Sequence, residues 1–367
     1  MTLVLAGIGK QSGGEMHLEG IDLTLPAGSV TVLLGPTLAG KTSLLRIMAG
    51  LDRPTKGRVL VDGMDVTGVG VRKRNIAMVY QQFVNYPSLT VYENIASPLR
   101  MAGGLDGAEI DRRVRATAAV MHIDSLLDRL PGQLSGGQQQ RTAIARALAK
   151  DTGLLLLDEP LVNLDYKLRE ELRAEMREIF ARRQVTVVYA TTEPTEALML
   201  GGNTALLDAG RLLQFGATID VYHHPASVRA GEVFSDPPMN LLPAEIEPGT
   251  EKVARISPDV SFAVPSHMRG LPPGRYRLGV RSNHISLEPG FAVALAVPAK
   301  VELSEISGSE TFVHAQHNGL NLVVQREGVH RYELGRAVTL YLDPGRLFAF
   351  DAGGALVAAP ERGQGGR

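Results

Sequence analysis

The nine residues "GPTLAGKTS", Gly35 to Ser43, constrain what this chain can fold into more than any other stretch. They follow the apolar run "VTVLL" and open "KTSLLRIMAGL", where Leu44, Leu45 and Met48 share one side and Gly50 is a stop signal. A strand, a glycine-rich loop ending in Gly-Lys-Thr and a helix, in that order, make a phosphate cradle. Gly35 and Gly40 let the backbone of Pro36, Thr37, Leu38 and Ala39 curl so that successive N–H groups converge on an anion. Lys41 adds a point charge, Thr42 a hydroxyl suited to Mg²⁺, and Ser43 a further polar group. The competing explanation is a glycine-rich turn that matches by chance.

A second stretch argues against chance. "LLLLDEP" is an apolar strand ending in Asp158 and Glu159, placed where open α/β sheets bind ligands. The first carboxylate can orient Mg²⁺ and the second can polarise an attacking water. A solvated acidic turn is the bland alternative, weak beside a P-loop.

Strand and helix patterns alternate through the first two thirds of the chain. "IDLTLPAGSVTVLLGP" reads as two strands around a turn, "QQQRTAIARALAK" as a helix, and "VTVVYAT" as a buried strand. "KLREELRAEMREIF" reads as an amphipathic helix with Leu168, Leu172, Met176 and Ile179 on its apolar stripe. The pattern predicts a mostly parallel sheet covered on both faces. After Phe234 the texture changes: "SDPPMNLLP" reads as a Pro-rich linker, and "RYRLGV", "AVALAV", "NLVVQ" and "AVTLYL" as short strands of a small all-β domain. The expected division is 1–235 for the nucleotide-binding domain, with a helical subdomain at about 85–150, then 236–357 for the β domain and 358–367 for a frayed tail.

Composition narrows the function classes. At 367 residues the chain is long enough for two cores. A net charge of -1 gives no electrostatic reason for a nucleic-acid partner, and the β domain lacks the basic, aromatic-rich strands that single-strand binding needs. Without cysteine, disulfides and thiolate metal sites are excluded. The longest apolar run, Gly153 to Leu157, is far below the roughly 20 residues a spanning helix requires, and the N-terminus lacks a basic segment before its apolar residues.

"LSGGQQQR", Leu134 to Arg141, and "VYQQF", Val79 to Phe83, resemble the signature motif and glutamine loop of ABC-transporter ATPases. With the P-loop, "LLLLDEP" and "NLD" at Asn163 to Asp165, five motifs stand in that family's order. The resemblance implies ATP and Mg²⁺ as ligands, with Thr42, Asp158 and Gln81 near the metal and Glu159 and Gln81 at the attacking water. It implies head-to-tail pairing of two ATPase domains, so that Ser135, Gly136, Gly137 and Gln138 serve the partner's ATP and Asp165 lies in the D-loop. A helix start alone would explain Ser135 but not the whole motif. "FVNYPSLTVYENI" resembles the surface that receives a membrane subunit, although its aromatics suit ordinary packing as well. "LGVRSNHISL" and "LYLDPGRLFAFD" look like the OB-like C-terminal domain of maltose-importer-type ATPases, which implies two permease subunits, an extracytoplasmic solute-binding protein and a place on the cytoplasmic membrane face.

Two positions depart from that family's pattern. Thr192 in "YATTEPTEAL" aligns with the switch histidine, and Ser12 in "GKQSGGE" with the aromatic ring that stacks on adenine. Both departures concern the ATP on this chain's own P-loop, while the signature that serves the other ATP is intact. The asymmetry suggests a heterodimer with a standard second ATPase, in which Thr192 marks a slow site. The alternatives are a threonine that replaces the histidine with little consequence, and a regulatory subunit that clamps ATP without hydrolysing it. The pairing of this switch with carbohydrate-importer motifs looks like one of the two unequal ATPases of glycerol importers.

Overall fold

The structure, a computed structural model, describes the chain except residues 163, 165, 183–184, 251, 291–293 and 362–367, and the side chains of 166, 181 and 182. It divides into two compact units, Met1–Thr218 and Ile219–Arg367.

The first unit begins with β1 (Leu3–Ser12) and β2 (Glu15–Leu25), a hairpin turned by Gly13 and Gly14, both at positive φ. Next come β3 (Val30–Leu34), α1 (Lys41–Ala49), β4 (Lys56–Val61), β5 (Met64–Asp65) and β6 (Ile76–Val79). Three helices follow: α2 (Val91–Ala102), α3 (Gly107–Val120) and α4 (Gly136–Ala149). The remainder is β7 (Leu154–Asp158), α5 (Tyr166–Arg182), β8 (Thr186–Thr191), α6 (Pro194–Leu200), β9 (Asn203–Asp208) and β10 (Arg211–Ala217).

The central sheet runs β10-β9-β3-β8-β7-β6 and is parallel except for the β9–β10 hairpin. Every residue of β7 and β8 is buried, as expected of strands covered on both faces. Leu154, Leu156, Val188 and Ala190 share a core with Leu44, Leu45 and Met48 of α1 and with the inner face of the antiparallel sheet β2-β1-β4-β5. A glycine at position 50 ends α1 at φ 74, donating to Arg46 and Ile47 carbonyls.

The stripe on α5 differs from the one the sequence predicts. Leu172, Met176 and Phe180 are buried, Leu168 and Ile179 only half so, and the charged Arg173 is buried with them. Ion pairs to three carboxylates let an arginine take a core position that periodicity assigned to apolar residues.

The division falls at the first residue of α7 (Thr218–His223), and α8 (Val228–Val233) follows in the second unit. Its strands are β11 (Asn240–Ile246), β12 (Val253–Ser257), β13 (Val260–Ala263), β14 (Gly274–Val280), β15 (Ile285–Ser286), β16 (Leu295–Ser307), β17 (Glu310–His317), β18 (Leu320–Glu327), β19 (Ala337–Leu342), β20 (Phe348–Phe350) and β21 (Leu356–Ala358). They form two sheets, β13-β12-β11-β14-β20-β21 and β15-β19-β16-β17-β18, around one apolar core that includes Leu242, Leu278, Val297, Val313, Val324 and Leu340. The units divide earlier than at 235–236, because Val228 of α8 packs with Met239, Phe348 and Phe350. For the same reason "SDPPMNLLP" is not a linker: Met239 is buried and Asn240 starts a strand paired along its length with β14.

Candidate active site

Three strand ends converge on one place. The N–H of Gly35, at the end of β3, donates to the Thr191 carbonyl at the end of β8 (3.4 Å), and the N–H of Glu159, just after β7, donates to the Ala190 carbonyl (3.0 Å). Strand register therefore sets the P-loop on one side of β8 and the paired carboxylates on the other.

The loop itself admits no bulk at its ends. A side chain at Gly35 would collide with the Leu207 carbonyl, and Gly40, at φ 97, lies where a Cβ would stand 2.7 Å from Leu18 and 3.0 Å from the His17 carbonyl. Leu38 also takes positive φ and is fully extended to solvent. The loop walls a cavity of about 470 Å³ together with Thr37, Ala39, Lys41, Thr42 and Ser43 from its own length, Gln81, Glu159 and the β9–β10 turn. Pro36 contributes its carbonyl instead.

Lys41 is 4% exposed, donates to the carbonyls of Gly35 (2.7 Å) and Pro36 (3.0 Å), and pairs with Glu159 at 3.3 Å. Burial lowers its pKa, and the carboxylates of Glu159 and Asp158 oppose that shift. Thr42 donates to Asp158 at 3.1 Å, and burial raises the pKa of that carboxyl. Gln81 donates to the other oxygen of Glu159 at 3.1 Å. Glu159 holds φ 46, a left-handed conformation that a non-glycine residue adopts at some cost. Sequence-distant Lys41, Thr42, Gln81, Asp158 and Glu159 are thus brought together as one charged cluster.

The signature residues lie apart from this cluster, at the start of α4. Ser135 is the N-cap, accepting from the Gln138 N–H (3.3 Å) while the Gln138 side chain accepts from the Ser135 N–H (2.9 Å), and Gly136 and Gly137 form the first turn. Asp165 lies outside the described residues. Asn85 donates to the Gln139 carbonyl at 2.8 Å, and Arg146 of α4 stacks over the exposed Tyr86 at 4.9 Å, so the segment after Gln81 rides on the signature helix.

Thr192 emerges from the end of β8 between Gly35 and Glu159, exposed, with no hydrogen bond from its side chain among the described residues. Ser12 sits at the tip of the β1–β2 hairpin as the cross-strand partner of Glu15, which lines the cavity, and is not itself a lining residue. The residues that sequence reasoning missed are those on that wall: Glu15, Met16, His17, Ala209 and Gly210. Their only local sign is the "DAGR" turn, whose Ala209 and Gly210 take positive φ; nothing local shows that Gly210 meets the His17 backbone.

Comparison with known proteins follows the same division. Residues 18–162 match the ABC transporter family model, and residues 278–350 match the TOBE domain. The sn-glycerol-3-phosphate import ATP-binding protein UgpC of Burkholderia pseudomallei (strain 1710b) is 36% identical over 354 residues, 95% of this chain and 97% of the relative. The protein of that name from Psychromonas ingrahamii is 35% identical over 363 residues, 96% of this chain and 94% of the relative. A solved dimer, the post-hydrolysis state of the ATP-binding cassette MJ0796 bound to ADP and Pi, aligns with TM-score 0.54 and 30% identity over 59% of this chain and 98% of that one. The chain therefore belongs to the ABC transporter family, as an ATP-binding subunit of a carbohydrate-type importer in which ATP hydrolysis is coupled to import.

Proposed function

We propose that this chain is one of two unequal ATPases of a bacterial importer for glycerol or its phosphate ester. Its own ATP site turns over slowly, and its signature motif completes a faster site on the partner subunit. The observation that carries the reading is Thr192: it occupies the strand end beside Glu159 where the family places a histidine, and its side chain is exposed and unpartnered among the described residues. Loss of one preorganised donor to a reacting oxyanion costs on the order of a hundredfold or more in rate.

The site keeps what slow turnover requires. P-loop N–H groups and Lys41 hold the phosphates, and Glu159 orients the attacking water and draws its proton, while Gln81 fixes the Glu159 carboxylate. The Thr42 hydroxyl and Asp158 carboxylate, 3.1 Å apart, are hard oxygen donors that fit Mg²⁺, which needs only one or two protein oxygens beside phosphates and water. When bound, Mg²⁺ supplies neutralisation of phosphate charge.

The other expected partners are two permease subunits, received at the surface around Val84 and Tyr86, and an extracytoplasmic solute-binding protein. Among the described residues no helix is long and apolar enough to cross a membrane, which suits a peripheral subunit on the cytoplasmic face. The C-terminal β unit is assigned to dimer support.

The glycerol assignment draws on the switch sequence, and the ester on relatives named for sn-glycerol 3-phosphate import. Recovery of the complex through a tag on this chain is expected to yield one copy beside a different, histidine-bearing ATPase. Deletion of the chain should abolish uptake of labelled glycerol or sn-glycerol 3-phosphate. Two copies of this chain with full hydrolysis, or unimpaired uptake of both solutes, would overturn the reading.

A further inference from the structure

The switch at Thr192 and the signature at the start of α4 belong to different ATP sites, yet a continuous set of contacts joins them within this chain. The signature end begins at Gly137, where a Cβ would stand 3.1 Å from a methyl of Leu164, so the Leu164 side chain packs against the first turn of α4. Gln140, one turn further along α4, donates to the carbonyl of Pro160. The segment after Glu159 is thereby held to the signature helix at two points.

Arg169, near the start of α5, takes up the chain from there. One of its terminal nitrogens donates to the carbonyls of Val162 and Leu164, both at 3.3 Å, and the other donates to Glu193 at 2.7 Å. Glu193 follows Thr192 directly, and its N–H donates to the hydroxyl of the buried Thr191 at 3.0 Å. A guanidinium serves two carbonyls and a carboxylate at once because its donors are spread over separate nitrogens of a rigid planar fork, whereas an ammonium places all its donors on one atom.

Arg173 supplies the contrast that shows what Arg169 is for. It is 6% exposed and pairs with Glu193 (2.7 Å), Glu196 (2.9 Å) and Glu170 (2.5 Å), so it pins the switch to α5 and, among the described residues, makes no hydrogen bond to the segment after Glu159. Glu193 divides its oxygens between the two arginines. Without Arg169 the switch would stay anchored through Arg173, but its tie to Val162, Leu164 and the signature would be lost. Glu193 is itself partly exposed and keeps its pair with Arg173, so removal of Arg169 leaves no buried unpaired charge.

We infer that Arg169 is a positioning residue that couples the two ATP sites, transmitting the state of this chain's own switch to the signature that serves the partner's ATP. The inference rests on the head-to-tail pairing in the proposed function and not on the slowness of the Thr192 site. A slow site joined this way would govern the fast one by its occupancy, and by linkage the partner's ATP would act back on this site to the same extent.

The test is ATP hydrolysis by the purified importer, measured against ATP concentration for wild type, Arg169→Ala and Arg169→Lys. Wild type is expected to be cooperative in ATP. Both variants should lose that cooperativity and roughly tenfold in kcat, with the ATP concentration at half-maximal rate changed by less than about threefold. Arg169→Lys keeps the charge and the pair with Glu193, so it should fold and melt as wild type while failing to rescue coupling. A non-cooperative wild type, an unchanged kcat and cooperativity in Arg169→Ala, or full rescue by lysine would each overturn the inference. Thr192→His reports separately on the slow-site reading, because its effect on rate does not depend on Arg169.

Discussion

At the scale of single residues, the residues of the polar cluster at the strand ends could be picked out from the sequence and the outer wall of its cavity could not. Lys41, Thr42, Asp158 and Glu159 announce themselves because each sits beside a glycine loop or at the end of an apolar strand, and those local settings fix where a side chain emerges. Met16 and His17 carry no such sign; they reach the cavity only because the β1–β2 hairpin folds over the P-loop. Thr192 was legible by its departure from a pattern, and the structure adds that its hydroxyl is exposed rather than engaged. Thr192→His is accordingly expected to raise hydrolysis at this chain's own ATP site by about tenfold or more, read in an importer whose partner ATPase has lost its catalytic carboxylate, since an imidazole would supply the missing donor. A steady-state rate that does not move would mean that the threonine already does the histidine's work.

Among the elements, α2 shows how sequence and packing divide the task. A capping box forms at Thr90-x-x-Glu93, with Glu93 N–H donating to the Thr90 hydroxyl (3.2 Å) and Thr90 N–H to the Glu93 carboxylate (2.9 Å). What the sequence did not show is that the next residue, the fully buried Asn94, accepts from Tyr86 N–H at 2.8 Å and donates to the carbonyls of Tyr86 and Leu89. Cap and asparagine together hold the segment around Tyr86 in place. Thr90→Ala should lower stability of the isolated chain by about 1 kcal/mol, read by denaturant unfolding, and leave its ATP affinity unchanged. On α5 the same comparison went the other way: periodicity placed Leu168 and Ile179 in the core, and a network of ion pairs put Arg173 there instead.

For the molecule as a whole, the C-terminal unit carries a pH dependence that the sequence does not reveal. Burial, with Arg346 and Arg281 nearby, lowers the pKa of His284 from 6.5 to about 4. Because the unfolded chain binds that proton first, the contribution of His284 to stability is fully present above pH 6.5 and is lost as pH falls toward 4. Thermal unfolding near neutrality and at about pH 5 should show a smaller loss for His284→Gln than for wild type. Equal losses would place the acid sensitivity elsewhere. The sequence alone determined the order of motifs, the parallel sheet and the β-rich second unit, because strand alternation, glycine turns and helix stripes are properties of neighbours along the chain. Only the tertiary structure decided the division at Thr218 and the cavity wall from Glu15 to His17. It alone also set the path from Gly137 through Leu164 and Arg169 to Glu193, since these contacts join residues that meet only when separate elements pack.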